Sequence, residues 1–342
     1  MQAGTSMDAP RTLDPLSMGK AVACVLVVAQ HTLASHFGTF GHGWNLVNAL
    51  DAFTRVAVPI FLMTSGAIFL ERSDSFSYFY TRRLLRIALP LIFWSLVYSA
   101  WISLNGGPSG NWILAMLHGP VMYHLWYFYA IVGLSLITPI LAPWFQSADW
   151  KAHWALIATW FLFTAVLPLI GLFTVPLYGT AFATGYSILD FGGYLVLGAV
   201  LKRRGDVVAW RRWLGFALYI LGTTGVAVAT RLYSKSVGQP QELFYYNNSA
   251  FVIMAATGIF LMFQNMNQPG RVVASVLGLL STCSLGVYGI HPLIMALIFR
   301  YWARFQLSSV PPSMGVLFTV ALVVSLALVW ILRRFPPLRK VM

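Results

Sequence analysis

Charged residues are scarce in this chain of 342 residues. Asp, Glu, Lys and Arg together make up 9% of it, whereas hydrophobic residues make up 58%. A soluble globular domain carries about 25% charged residues. The mean hydropathy of the chain is +0.74. This composition excludes a soluble globular domain and indicates a membrane protein.

Cysteine and the common catalytic motifs are also rare or missing. The two cysteines, Cys24 and Cys283, lie within apolar runs, so we interpret them as small buried hydrophobic residues rather than as a disulfide or metal framework. There is no Walker loop, no Gly-x-Ser-x-Gly element and no zinc-type His-Glu pair. Acidic residues in the apolar runs are few, so a carboxylate proton relay is poorly supported. We predict no metal site.

Apolar runs of about 20 residues recur along the chain, which is the length of a membrane-spanning helix and not of a barrel strand. The first run could be a signal peptide, but no convincing small-x-small cleavage site follows it, so we expect a retained span. We predict an all-α polytopic protein with about ten spans, at 16–37, 51–71, 84–104, 122–142, 152–172, 186–201, 212–232, 245–264, 273–299 and 314–333. The predicted divisions are an N-terminal segment 1–15, a membrane domain 16–333 and a basic tail 334–342.

Basic residues predict the orientation. With the N-terminus in the cytoplasm, most of the 22 lysines and arginines fall on the inner side, and few, such as Arg231, Lys235 and Arg300, fall outside. This asymmetry is the positive-inside pattern, and it predicts that both termini are cytoplasmic. Topology thus explains most of the net charge of +13, and we predict no nucleic-acid partner.

Lys20 and His31 are two ionisable residues within one predicted helix. Their Cα atoms lie about 16 Å apart along the axis, and eleven residues return them to almost the same face. Such groups inside an apolar span are costly unless they are used. His31, towards the outer side, is our candidate general base, because a neutral imidazole can take a proton from a hydroxyl. The alternative is a histidine that packs between helices.

Arginines provide two further candidate sites. Arg55 could stabilise an oxyanion or hold a polar acceptor, although Asp51, one turn earlier, could instead neutralise it. On the inner side, the guanidinium groups of Arg82, Arg83 and Arg86 could bind a phosphate-bearing ligand. The alternative for this cluster is a positive-inside anchor.

A polar stripe marks a late span. Ser284, Tyr288 and His291 follow the spacing i, i+4, i+7, which places them on one helix face. The His124-Leu125-Trp126-Tyr127 segment begins the fourth span from the outside. Single aromatic residues there are often interfacial, whereas a polar stripe within a span is less often idle.

In this order, these elements resemble the acyltransferase family 3 of integral membrane acyltransferases. The family begins with a Leu-Asp pair, then a basic residue, ten residues and a histidine. Four later elements follow: a Ser-Gly step, Arg-Arg-x-x-Arg before a proline-containing span, His/Leu-Trp-Tyr/Phe, and Ser-x-x-x-Tyr-x-x-His-Pro. The basic residue of the first element is usually arginine, and the lysine found here lacks its planar fork. The matching residues are Leu13-Asp14, Lys20, His31, Phe61, Ser65-Gly66, Arg82, Arg83, Arg86, Pro90, Leu125-Trp126-Tyr127, Ser284, Tyr288, His291 and Pro292.

The resemblance implies a multi-pass enzyme of the bacterial inner membrane that transfers an acyl group, most often acetyl, from cytosolic acetyl-CoA or another acyl-CoA. The implied acceptor is a hydroxyl of a lipid-linked or extracytoplasmic carbohydrate. The implied partners are therefore the lipid bilayer and a glycan. The expected site residues are His31 and Arg55 for catalysis, Lys20, Arg82, Arg83 and Arg86 for the CoA donor, and Trp126, Ser284, Tyr288 and His291 for the substrate.

A transporter or flippase for a polar lipid or small solute is the alternative function. Lys20, His31 and Arg55 would then line a translocation path, and ten spans fit it equally well. Such transporters often contain inverted repeats with paired broken helices, which we do not find in this sequence. The enzyme is therefore the favoured hypothesis.

Overall fold

The computed structural model describes residues 13–72, 74–107, 110–173, 188–203, 208–301 and 310–342. Across these ranges every regular element is a helix and no strand is present, which confirms the predicted all-α class. Residues 1–12 of the predicted N-terminal segment lie outside the description. The α-helices are α1 Pro15–Ala34, α2 Trp44–Thr54, α3 Ala57–Phe69, α4 Phe76–Tyr78, α5 Leu85–Leu104, α6 Trp112–His118, α7 Trp126–Ser147, α8 Trp150–Phe161, α9 Leu167–Phe173, α10 Ile188–Arg203, α11 Ala209–Val237, α12 Ala250–Gln264, α13 Arg271–Tyr301 and α14 Val310–Leu332.

Within the described ranges, nine helical stretches are long and apolar enough to cross a membrane, so the protein is multi-pass. The predicted span 186–201 corresponds to α10, whose described part has 16 residues and begins after the undescribed segment 174–187. The nine stretches are Pro15–Ala34, Trp44–Phe69, Phe76–Leu104, Tyr123–Ser147, Trp150–Ile170, Ala209–Val237, Leu243–Gln264, Arg271–Arg300 and Ser313–Leu332.

The second membrane stretch differs from its predicted bounds of 51–71. It begins at Trp44 and consists of two helices, because α2 ends at Thr54 and α3 begins at Ala57. Pro59 explains the interruption, since its ring lacks an N–H and disfavours a helical carbonyl four residues earlier, at Arg55. The break places Arg55 at the C-terminal end of α2.

Helix α1 lies at the centre of the bundle and packs against α2, α3, α12, α13 and α14. Its residues Cys24 and Val28 are fully buried. Cys283 of α13 is also buried, and both cysteines are free thiols, as predicted. The central position of α1 brings its polar residues next to α13 rather than to lipid.

Glycines allow α3 and α10 to pack backbone against backbone. A Cβ atom on Gly66 would lie 2.0 Å from the carbonyl oxygen of Leu195, and one on Gly198 would lie 2.1 Å from that of Met63. No side chain fits at such distances, so both positions require glycine. The Ser-Gly step of α3 therefore fixes α10 on one side of this helix, while Ser65 is left to line the interior.

Candidate active site

His31 of α1 and His291 of α13 form a hydrogen-bonded imidazole pair. His31 Nδ1 lies 2.6 Å from His291 Nε2, although the two residues are 260 positions apart in the chain. The ring planes are 6° from parallel and their centroids are 4.9 Å apart, so the two rings lie side by side with the nitrogens between them. The structure thus brings together two residues that the sequence placed in different motifs. His291 is fully buried, and His31 is partly buried.

The partners of this pair determine which ring nitrogen carries a hydrogen. His291 Nδ1 lies 2.9 Å from the carbonyl oxygen of Val287, which can only accept, so this nitrogen is the donor. In neutral His291, Nε2 then accepts, and His31 Nδ1 must donate to it. The hydrogen-bond network therefore leaves Nε2 of His31 with a free lone pair. A nitrogen in this state is the form that a general base requires.

Helix α13 is locally modified around His291. Pro292 has no N–H, so the carbonyl of Tyr288 lacks its usual helical partner and is available to the His291 ring. The hydroxyl of Tyr98 on α5 accepts from the Leu293 N–H at 3.2 Å and donates to the Gly289 carbonyl at 2.8 Å. An unbroken helix would join this N–H and carbonyl directly. Tyr98 therefore stabilises the turn that carries His291.

His124 is a third histidine beside the pair. Its ring centroid lies 5.8 Å from that of His291 and 6.4 Å from that of His31. The residue is fully buried in the short turn Tyr123–Leu125 before α7, and the Tyr288 hydroxyl donates to its backbone carbonyl. The sequence placed His124 only at the start of a span. Its position directly before the Leu-Trp-Tyr element was the signal available.

A cavity of about 230 Å³ lies next to this cluster, on the Lys20 side. Tyr288 is in its wall and also packs against the rings of His124 and His291, at centroid distances of 5.7 Å and 6.1 Å. The histidines themselves do not line it. Tyr288 therefore separates the cavity from the imidazoles. Among the lining residues are Lys20, Phe61, Ser65, Tyr127, Ser284 and Tyr288.

The cavity unites predicted residues that are distant in sequence, namely Lys20, Ser284 and Tyr288. Lys20 and His31, which we expected to face one cavity, are divided between the cavity and the imidazole pair. Tyr127 lines the cavity and packs edge-on against Tyr288, with centroids 5.3 Å apart. Tyr127 was not among the predicted site residues, although Tyr127 belongs to the Leu-Trp-Tyr element.

Arg55 forms a buried ion pair with Asp51, which is the neutralising alternative raised by their spacing. Asp51 also accepts a hydrogen bond from Thr54 at 3.0 Å. The guanidinium of Arg55 lies 3.9 Å from the ring centroid of Tyr245. It is not hydrogen bonded to His31, and its Nε has no hydrogen-bond partner among the described residues. A catalytic role for Arg55 stays a prediction.

The arginine cluster lies outside the cavity wall. Arg82 and Arg83 belong to a π-helical turn over Phe79–Leu84, and Arg86 begins the following helix. Arg83 Nε contacts Asp74 Oδ2 at 2.8 Å, whereas Arg82 and Arg86 are exposed. Trp126, predicted to bind substrate, packs its ring 5.4 Å from that of Phe191 on α10.

The helical membrane fold and the match to a known family together define a membrane acyltransferase. Residues 16–334 match the family model of the acyltransferase domain of family 3. The chain belongs to this family, as its ordered motifs indicated.

One curated relative matches part of the chain. A stretch of 134 residues is 34% identical to the serine/alanine racemase of Enterococcus gallinarum and covers 36% of this chain. The match covers 19% of the racemase, so the chain spans about a fifth of the length of that relative. No solved structure matches the chain.

Proposed function

We propose that this membrane acyltransferase moves an acetyl or related acyl group from cytosolic acyl-CoA to a hydroxyl of a lipid-linked or extracytoplasmic carbohydrate in the bacterial inner membrane. The observation that carries the proposal is the 2.6 Å contact between His31 and His291. Since His291 donates to Val287, the pair leaves His31 Nε2 free to accept a proton.

The reaction follows from this arrangement. Nε2 of His31 takes the proton of the acceptor hydroxyl while the hydroxyl oxygen bonds to the thioester carbonyl carbon. The carbonyl electrons move onto oxygen, and their return breaks the carbon–sulfur bond. The CoA sulfur leaves and takes the proton from His31, so the products are an ester and a thiol. His291 keeps the base in the required tautomer through both steps.

The cavity beside Tyr288 supports a path for the donor from the inner side. Its wall combines the Lys20 ammonium with the hydroxyls of Ser65 and Ser284 and the ring of Phe61. This mixture suits the amide-bearing thiol arm of CoA, which needs both apolar contact and hydrogen bonds. We propose that the acyl end of the arm lies against Tyr288, the residue that also contacts the histidines.

The arginine cluster is proposed to hold the CoA phosphates. Arg82 and Arg86 are exposed, and within the described parts of the chain neither has an ion pair. Arg83 is already paired with Asp74, so we assign it to positioning the π-helical turn. Guanidinium groups bind phosphate oxygens in pairs, which favours arginine for this task. The racemase similarity is partial, and we carry no amino-acid substrate over to this chain.

The decisive experiment uses purified protein in lipid nanodiscs with acetyl-labelled acetyl-CoA and a panel of membrane glycolipids. His31→Ala is expected to lower acetyl transfer by about 10²-fold or more, because the general base is lost. His42→Ala, in an exposed loop, is the matched control and is expected to keep full activity. Absence of CoA-dependent transfer across the panel, together with solute or lipid movement in proteoliposomes, would favour the transporter instead.

A further inference from the structure

His124 is buried without hydrogen-bond partners. Its exposed fraction is 0%, and neither ring nitrogen has a hydrogen-bond partner among the residues that the structure describes. The Gly289 carbonyl lies near the ring and accepts the hydrogen bond of the Tyr98 hydroxyl, but no hydrogen bond joins it to either nitrogen of His124. An unsatisfied buried donor or acceptor lowers the stability of the folded protein. A ligand that supplies the partner would explain why this cost is tolerated.

The other polar groups that were candidates for an oxyanion contact are already engaged. The Tyr288 hydroxyl donates to the His124 backbone carbonyl. The Arg55 guanidinium is paired with Asp51 and lies over Tyr245, so its charge is already neutralised, although its Nε has no hydrogen-bond partner among the residues that the structure describes. His31 Nδ1 donates to His291, and its other nitrogen serves as the proposed base. The reaction nevertheless needs a donor at the oxygen that becomes negative.

We propose that His124 is a catalytic residue whose ring N–H binds the thioester carbonyl oxygen and stabilises the oxyanion formed from it. The inference rests on the proposed acyl transfer. A neutral imidazole always has one N–H, and in His124 this N–H makes no hydrogen bond to any residue that the structure describes. The neutral form is favoured because the cluster offers this ring two further imidazoles and no carboxylate in contact.

The geometry gives each histidine a different task. When the acceptor oxygen bonds to the carbonyl carbon, its proton goes to His31 and the carbonyl electrons go to the oxygen held by His124. When the carbon–sulfur bond breaks, the electrons on the oxygen re-form the carbonyl and the His124 contact becomes that to a neutral carbonyl. The leaving CoA sulfur takes the proton from His31. Tyr288 fixes the His124 backbone and lines the donor cavity, so it links the two sites.

The test compares His124→Phe, which keeps a ring but removes the N–H, with His124→Gln, which keeps a side-chain N–H. Loss of one oxyanion donor lowers kcat by about 10²–10³-fold. We expect this for His124→Phe with KM for acetyl-CoA raised by no more than about fivefold, and partial recovery for His124→Gln. His153→Phe is the matched control, because it replaces a buried histidine on α8 that stacks on Phe145. A folded His124→Phe variant with wild-type kcat would overturn the proposal.

If His124→Phe does not fold, His124→Ala takes its place, and the glutamine variant is expected to exceed its kcat by about tenfold or more. Equal kcat in the alanine and glutamine variants would then refute the donor role.

A binding measurement separates this inference from the proposed function. Acetonyl-CoA carries the carbonyl but cannot be cleaved, and propyl-CoA is its carbonyl-free counterpart. Wild-type protein is expected to prefer acetonyl-CoA by about fivefold, the effect of one net hydrogen bond, and His124→Phe is expected to lose the preference. A preference retained in the variant refutes the His124 contact alone. Failure of wild-type protein to bind either analogue refutes the CoA-dependent function.

Discussion

Replacing His291 with phenylalanine tests whether the imidazole pair sets the state of the base. The substitution keeps a ring beside His31, with which His291 is nearly coplanar, but removes the acceptor 2.6 Å from His31 Nδ1. A buried N–H left without an acceptor costs about 1–3 kcal/mol. His31 can avoid this cost only by moving its hydrogen to Nε2, which removes the lone pair that would take the substrate proton.

The unpaired N–H and the shifted hydrogen of His31 are each expected to slow the reaction by a similar amount. Since about 1.4 kcal/mol corresponds to a factor of ten in rate, His291→Phe is expected to reduce kcat by about 10–100-fold. The loss is smaller than that for His31→Ala, because the base itself remains. His291→Gln is the conservative variant, as its side-chain carbonyl can accept from His31 and restore part of the rate.

The assay is acetyl transfer in nanodiscs over a range of donor concentrations, so that kcat and KM are obtained separately. Nitrogen-15 spectra of histidine-labelled protein provide a second readout, because a merely structural role would not change the His31 tautomer. Thermal unfolding of each variant establishes that it is folded. A folded His291→Phe variant with kcat within about twofold of wild type would refute the assignment of the tautomer.

Three further predictions concern the surroundings of the site. Gly198→Ala forces a Cβ onto the α3 backbone and is expected to lower the free energy of unfolding by about 1–3 kcal/mol, measured by denaturation in detergent, whereas Gly270→Ala, in open space, is expected to be neutral. Asp51→Asn removes the counter-charge of buried Arg55 and is expected to lower the free energy of unfolding by about 3–5 kcal/mol. The double variant Asp51→Leu with Arg55→Met is expected to recover most of this loss. Equal stability of the single and the double variant would contradict a buried ion pair. Ser65→Phe fills the cavity and is expected to raise KM for acetyl-CoA, measured by the transfer assay; an unchanged KM would place the donor elsewhere.

The sequence predicted the membrane helices well because their signal is local. A run of about 20 apolar residues is sufficient to define a span, and no knowledge of packing is needed. The bounds of the second span were wrong at its start, because Pro59 divides the segment and the polar residues before Asp51 still belong to a helix. The helical stretch begins at Trp44, seven positions earlier than predicted.

The composition of the site was harder to predict, since it depends on which residues meet across helices. His31 and His291 were both identified from their positions in spans, but nothing in the sequence states that they form a pair. His124 could not be distinguished from an interfacial aromatic residue. The role of Tyr98 arises from the helix opening beside Pro292, which its own sequence neighbourhood does not indicate.

Sequence spacing also did not decide whether Arg55 pairs with Asp51 or faces the site. Its spacing from Asp51 permits either an internal ion pair or a guanidinium that faces the site. The interruption before Pro59 ends α2 at this position and lets the side chain fold back over Tyr245. Backbone geometry, which the spacing alone does not contain, therefore selects the ion pair.

Lys20 and His31 both lie on α1, but they have different surroundings in the structure. Lys20 lines the cavity, His31 joins the imidazole cluster, and Tyr288 of α13 lies between them. A thioester that enters beside Lys20 can reach His31 only by passing the Tyr288 ring, whose hydroxyl is bonded to the His124 carbonyl. Because His291 follows Tyr288 by less than one turn of the same helix, movement of this ring is coupled to the residue that sets the base. Donor entry and base orientation thus depend on a single turn of α13.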